Sequence, residues 1–309
     1  DIGLDSSFIE NSETQYENID DAYCKKIIKP RGLNTHKGSY GHALVMAGSY
    51  GKMGAAVLTS KACVKSGAGL TTAFIPECGY EIMQSSFPEA MVETDSSIKS
   101  LQHVPDISKY TAIGIGPGLG TTPETRQFVL NVLKNCNCPL ILDADALNCI
   151  SFENAIKLIP EGSILTPHPK EFERLTGKKT VGIKRWNEQI LLAQNTKSTI
   201  VLKDAITSIA TPEGQIYFYR NPNPALAKGG SGDVLTGIIT SLRAQGYSSI
   251  HAAILGIFLH GEAGIGKTRL ARELEAYARS QGMQVLYGRC PALFRMDGVP
   301  PYVLWQEVI

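Results

Sequence analysis

Between residues 43 and 219 the chain alternates short apolar runs with segments of helical period, and this alternation narrows the folds open to it more than any other feature. The runs are Ala43–Ala47, Leu70–Ile75, Ala112–Ile115, Leu140–Asp143, Ser163–Thr166 and Thr199–Leu202. Each is too short for a buried helix and too continuously apolar for a strand with one wet face. Strands of this kind belong to a parallel sheet covered on both sides. Helical patterns lie between them at Ala55–Ser66, Pro123–Lys134, Lys170–Thr176 and Trp186–Asn195. Thr122 followed by Pro123 reads as a cap and first helical residue. The expected class is therefore α/β, three layers around a mostly parallel sheet. Thr207–Ala210 and Ile216–Tyr219, joined by TPEGQ, read as an antiparallel hairpin at its end.

In open α/β sheets ligands gather beyond the carboxyl ends of the strands, and the loops there are rich in chemistry. GSYGKMGAA follows Ala47, GPGLGTTPET follows Ile115, and DADAL follows Leu142, with Asp143 and Asp145. TPHPKEF follows Leu165, with His168 between two prolines, and KDAIT follows Leu202, with Lys203. Each has a plain structural reading. The glycines suit tight turns, the aspartates suit helix caps, His168 suits a packing role, and Lys203 suits a solvated charge. Their convergence on one rim is what favours a site.

The hairpin feeds into NPNPALAKGGSGDVLTGII, Asn221 to Ile239. Glycines ahead of a helix leave backbone N–H groups unpaired and aligned with the positive end of the helix dipole, which makes an anion site. Asp233 in the first turn is either a dipole-complementing cap or, beside a phosphate, a group that takes a proton from an attacking hydroxyl.

A net charge of +1 with scattered Lys and Arg provides no basic field, so neither nucleic acid nor an acidic membrane surface is expected as a partner. The apolar run Ala252–Leu259 is too short to span a bilayer. The chain opens DIGLDSSFIE, without a signal peptide or an initiating Met, as a piece of a longer product would. Its seven cysteines include no CxxC pair, although Cys136 and Cys138 are one residue apart. Free thiols in a cytoplasmic protein are the expectation, and no zinc spacing is present.

The stretches HKGSYGHALVMAGSYGKMGAAVLTSKACVKSGAGL, GIGPGLG, LDADALN, LTPHPKEFERLTG, VLKDAITSIATPEG and NPALAKGGSGDVLTGII together resemble the ADP/ATP-dependent NAD(P)H-hydrate dehydratases, from about residue 25 to about residue 264. The resemblance implies a ribokinase-like fold and a reaction in which (6S)-NADHX or NADPHX loses water at the expense of ADP or ATP. It implies that Asp233 activates the hydrate hydroxyl while the N–H groups of Gly230, Ser231 and Gly232 hold the transferred phosphoryl group. It further implies that Ala55, Gly118, His168 and Asp233 line the hydrated dinucleotide, and that Lys203, Asp204, Ala205, Ile206, Thr207 and Gly232 hold the adenine nucleotide. Mg2+ is expected with the nucleotide, the metal ligands are unassigned, and a homo-oligomer fits the family. DIGLD resembles the join at which an epimerase domain precedes the dehydratase in bifunctional members. The GGSGD signature fits vitamin and sugar kinases of the same fold as well, which leaves a small-molecule kinase as the alternative.

The final stretch departs from the family. GEAGIGKT, Gly261 to Thr268, matches the phosphate-loop pattern GxxxxGK[ST], in which Gly261 and Gly266 would shape the loop, Lys267 would reach the β- and γ-phosphates and Thr268 the metal. Such a loop needs a strand before it, whereas Ala252–Leu259 reads as helix. One further helix (269–281) and a short strand (283–287) follow, with no second acidic strand end. The expected division is an N-terminal extension over 1–30, a dehydratase domain over 31–260 with its last helices replaced, and a foreign ATPase-like fragment over 261–309 joined as a chimaera. A regulatory nucleotide-binding module centred on Lys267 is the third reading.

Overall fold

A computed structural model describes residues 14–30, 34–136, 138–220, 223 and 226–262. The DIGLD join and the expected fragment from residue 263 onward, with Gly266, Lys267 and Thr268, lie outside the described residues.

In chain order the strands are β1 (Tyr16–Asn18), β2 (His42–Met46), β3 (Leu70–Pro76), β4 (Met91–Asp95), β5 (Ala112–Ile115), β6 (Leu140–Leu142), β7 (Ile164–Leu165), β8 (Thr199–Leu202), β9 (Thr207–Ala210) and β10 (Ile216–Tyr219). The helices are α1 (Asp21–Ile27), α2 (Met53–Lys65), α3 (Tyr80–Ser86), α4 (Pro123–Asn135), α5 (Ala144–Phe152), α6 (Pro169–Thr176), α7 (Ile183–Thr196), α8 (Ser231–Ala244) and α9 (Ser249–Glu262). The ten strands form one sheet in the order β1-β10-β9-β8-β7-β6-β5-β2-β3-β4. All neighbours run parallel except β8 with β9 and β9 with β10.

Alternate residues of each strand enter different cores, as the pleat requires. Ala43 and Val45 of β2 pack with Leu235 and Ile239 of α8, Ile254 of α9 and Met53 of α2. Leu44 and Met46 pack on the other side with Phe128 of α4, Leu147 of α5, Phe172 of α6 and Ala193 of α7. The sheet is thus the middle of three layers, and its strands read as apolar throughout because neither face is wet. Helix α8 is buried along most of its length between α2 and α9. Gly237 makes the approach possible: a Cβ there would lie 2.2 Å from the carbonyl oxygen of Thr59.

The chain runs outward from β2 through β3 to β4, then returns to the other flank of β2 as β5 and continues to β8. Strand order therefore reverses between β2 and β5, where the loops beyond their carboxyl ends are forced apart into a crevice.

The six apolar runs, the hairpin and the four helical patterns all appear, with ends shifted by up to three residues. Several elements were given no range in the sequence reading, among them β4, β1 and α3. Strand β4 (MVETD) is an edge strand carrying two carboxylates, β1 is only YEN, and α3 is a seven-residue helix; none has enough apolar period to announce itself. Helix α9 continues through Gly261, whose α-carbon packs on the ring of Tyr219 and whose carbonyl accepts from the side-chain amide of Asn223 at 3.0 Å. Gly261 is accordingly helical rather than the first glycine of a phosphate loop, because the element before it is helix and not strand. Among the described residues no helix is long and apolar enough to cross a membrane.

Candidate active site

The site is assembled from the carboxyl ends of β5 to β8 and the amino end of α8. Hydrogen bonds between strand-end loops hold it in register: Asp143 N donates to Ile115 O, Thr166 N to Leu142 O, and Lys203 N to Pro167 O, at 3.0 to 3.1 Å. Asp143 precedes α5 but does not cap it with its side chain. The residue is 1% exposed, and its carboxylate accepts from Lys203 Nζ at 2.6 Å and from Thr236 Oγ1 of α8 at 2.7 Å. A buried carboxylate needs such donors; here they come from β8 and α8, so the pairing locks the helix tip to the sheet.

At that tip Gly230 adopts φ +85°, and a Cβ on it would collide with Leu58 at 2.6 Å. The positive φ is what requires glycine there, since the Leu58 methyl ends a flexible, part-exposed side chain. Among the described residues the amides of Gly230, Gly232 and Asp233 meet no acceptor, whereas the Ser231 amide reaches Lys228 O at 3.4 Å. The α-carbon of Gly232 faces Lys203: a Cβ would stand 3.4 Å from its ammonium and 3.6 Å from Asp143 Oδ2. Free amides, a helix dipole and a fixed ammonium therefore point at one volume, which is the electrostatic requirement for a phosphate. Ser231 is anchored from behind. His260 Nε2 donates to its carbonyl at 2.9 Å and lies 3.1 Å from its hydroxyl, and burial holds the imidazole pKa below its ordinary value.

Asp233 is half-buried and, among the described residues, has neither hydrogen bond nor ion pair on its carboxylate. Burial raises its pKa above 3.8, the Asp143 carboxylate adds to this, and Lys203 opposes it. A capping aspartate would accept from amides of its own helix; this one does not.

The neighbouring loops are stitched together as well. Gly48 N donates to Pro117 O at 2.8 Å and Ser49 Oγ to Gly118 O at 2.7 Å, across the point where strand order reverses. Gly118, at φ +66°, sits against α2: a Cβ there would be 2.9 Å from that of Ala55. Asp145 Oδ2 accepts from Gly120 N at 2.8 Å and from Lys52 Nζ at 3.4 Å.

His168 caps α6. Its Nδ1 accepts from the amides of Lys170 and Glu171, and Glu171 Oε2 accepts from the His168 amide at 2.8 Å. This is a capping box with histidine in place of serine or threonine. Nδ1 being an acceptor leaves Nε2 to carry the proton, and Nε2 lies 3.4 Å from Glu171 Oε1. Beyond Lys203 the loop is exposed. Asp204 is gripped by Arg185 at 2.7 Å and accepts from the Ala205 amide at 2.8 Å, Ile206 is 45% exposed, and Thr207 opens β9.

Gly118 and Ala55 are thus in contact, Gly232 and Lys203 are in contact, and Asp233 is electrostatically coupled to that pair. Thr236, His260 and Glu171 are the members that sequence reading missed. Only Glu171 carried a signal, the H-x-x-E spacing of the capping box.

Residues 43–278 match the family model described as NAD(P)H-hydrate dehydratase. The matched region runs past the join expected at residues 261–264, and these comparisons give the chimaera and its phosphate loop no support. The ADP-dependent (S)-NAD(P)H-hydrate dehydratase of Bacillus subtilis (strain 168) is 36% identical over 248 residues, covering 77% of this chain and 85% of that protein. The bifunctional NAD(P)H-hydrate repair enzyme Nnr of Moorella thermoacetica is 36% identical over 278 residues, and the match takes in 85% of this chain but 52% of the relative. The chain thus spans about half the length of the bifunctional relatives it matches. A B. subtilis ADP/ATP-dependent NAD(P)H-hydrate dehydratase co-crystallised with ATP/Mg2+ superposes with a TM-score of 0.70 at 33% identity, covering 82% of this chain and 90% of that one. A ribokinase-like protein from Enterococcus faecalis superposes with a TM-score of 0.73 at 27% identity, covering 84% and 90%.

Proposed function

Since the chain belongs to the NAD(P)H-hydrate dehydratase family, we propose that it removes water from (6S)-hydrated NADH or NADPH at this rim, with ADP or ATP as phosphoryl donor. The observation that carries the reading is that, among the described residues, the Asp233 carboxylate has no partner and stands beside three free backbone donors and the Lys203 ammonium.

Hydroxide is a poor leaving group and phosphate a far better one, so phosphorylation followed by elimination divides one hard step into two easier ones. Asp233 takes the proton from the hydrate hydroxyl as its oxygen attacks the terminal phosphorus. The bond to the nucleotide's bridging oxygen breaks, leaving AMP from ADP or ADP from ATP. A carboxylate raised from its ordinary value is a better proton acceptor, and one without donors has nothing to surrender first. The amides of Gly230 and Gly232 and the Lys203 ammonium stabilise the charge that spreads over the phosphoryl oxygens. Loss of a ring proton and of phosphate then restores the reduced nicotinamide. On this reading Ala55, Gly118 and His168 Nε2 line the dinucleotide, and the exposed Lys203–Thr207 loop lines the adenine nucleotide.

Among the described residues no group of three or more His, Cys, Asp or Glu could hold a metal. Asp143 and Asp145 are already engaged, and Asp233 is a single hard oxygen donor. The residues therefore fit magnesium that arrives on the nucleotide, held mainly by its phosphates and water, where it would neutralise phosphate charge.

Incubation with (6S)-hydrated NADH and ADP, and in parallel with ATP, tests the assignment. Recovery of NADH with one phosphate released per turnover is expected. Accumulation of a stable phosphorylated product would instead make the chain a kinase.

A further inference from the structure

The end of the sheet opposite the glycine tip carries chemistry that dehydration does not use. Cys136 caps the carboxyl end of α4, its amide donating to Val132 O at 2.9 Å, and Cys138 lies just before β6. Their Sγ atoms stand 3.3 Å apart, unbonded, and Cys136 Sγ also lies 3.2 Å from Cys138 O. Both thiols line a cavity of about 570 Å3 together with Pro105, Asp106, Tyr110 and Asn135. Arg243, in the last turn of α8 and fixed on the Tyr247 carbonyl, adds positive charge near Cys138.

The six described cysteines are not equivalent. Burial pushes Cys24 up to about 11 and Cys63 and Cys149 to about 12, and it raises Cys78 as well. Cys138 goes the other way, to about 7, because Cys136 donates to its sulfur and Arg243 favours the thiolate. Cys136, which makes that donation and is itself buried, is raised. One sulfur is thus partly accessible and thiolate-prone, and its neighbour is in contact and protonated. Disulfide exchange needs this division between an attacking and a resolving thiol.

We propose that Cys136 and Cys138 form a reversible dithiol–disulfide site for small-molecule disulfides, with Cys138 as the attacking sulfur and Cys136 as the resolving one. The Cys138 thiolate attacks one sulfur of R–S–S–R, that S–S bond breaks, and the departing R–S− takes up a proton. The Cys136 thiol then gives up its proton and attacks Cys138 Sγ, expelling the second R–S−, which is protonated in turn. The two cysteines lose two electrons and two protons, and the disulfide gains both as two R–SH. Closure requires the sulfurs to approach by about 1 Å, to the usual S–S length of about 2.05 Å. A bridge across a single intervening residue closes a small ring, a geometry that favours easy reduction.

The test uses the full chain, reduced and then exposed to glutathione disulfide, denatured with excess alkylating agent and cut after lysine. The fragment Asn135–Lys157 contains Cys136, Cys138 and Cys149. Expected is a fragment lacking two hydrogens, bridged at Cys136 and Cys138 and alkylated at Cys149, which returns to three alkylated thiols after treatment with reduced glutathione. In Cys136→Ser the reaction should stop at a lasting glutathione adduct on Cys138. In Cys138→Ser the Cys136 thiol should react at least roughly tenfold more slowly than Cys138 does in the native chain. A lasting mixed disulfide in the native chain, three unmodified thiols, or preferential reaction at Cys78 or Cys149 would overturn the proposal. The native chain alone decides if either variant folds poorly.

Discussion

Two aspartates with buried surroundings are treated in opposite ways. Asp95, at the end of β4, is 3% exposed and accepts from the amides of Ser97, Gln102 and His103 and from the His103 ring. Burial alone would raise it, yet these donors hold its pKa below 3.8. Asp233 is less buried, has no donor among the described residues, and is raised. Burial therefore does not distinguish a structural carboxylate from a reactive one; the distribution of donors does. Asp95 uses its oxygens to fold a loop, and on the proposed function Asp233 keeps its own for the substrate hydroxyl.

The largest effect that would separate the two is on turnover. Asp233→Asn should lower the rate by roughly 10²- to 10⁴-fold while the melting temperature stays close to that of the native chain. Asp95→Asn should do the reverse, leaving turnover unchanged and costing about 1–3 kcal/mol in denaturant unfolding as donors lose a charged acceptor.

The architecture behind the tip comes next. Gly237→Ala would place a methyl group against the Thr59 carbonyl where α2 meets α8. It should destabilise by about 1–3 kcal/mol and lower turnover as well, because the displaced helix carries the tip.

A smaller effect lies in the pH dependence of stability. Because the folded pKa of Asp95 is depressed, its contribution is complete above the unfolded value and lost as pH falls through the folded one. The stability difference between the native chain and Asp95→Asn should therefore be level near neutrality and close below about pH 3.8. Asp233, raised, should show no such stabilising window. The smallest effect is local: alkylation of Cys138 should titrate with a midpoint at about 7, far from that of Cys78.

Much of this comparison was legible in the residues and part of it was not. Strands such as Ala112–Ile115 were plain because burial on both faces leaves no polar position to blur them. The edge strand Met91–Asp95 was hidden because its polar residues are tolerated only where one flank is open. GGSGD announced the tip, since the positive φ of Gly230 and the amides left free among the described residues are a local property. Asp143 and Lys203 were visible as strand-end polar residues, but their pairing was not, because it depends on β6 and β8 flanking β7. Thr236 looked like part of an apolar helix, and His260 lies twenty-nine residues from its Ser231 partner.

The pH dependence of turnover, in the native chain and in Lys203→Met, tests the role of Asp233 most directly. With Asp233 as proton acceptor, the acid limb of kcat/KM should lie above 3.8 in the native chain, because burial and Asp143 outweigh Lys203. Removing the ammonium should move that limb to higher pH, whatever it does to the maximal rate. A profile with no acid limb in the native chain, or a limb that stays in place when Lys203 is gone, would contradict the account.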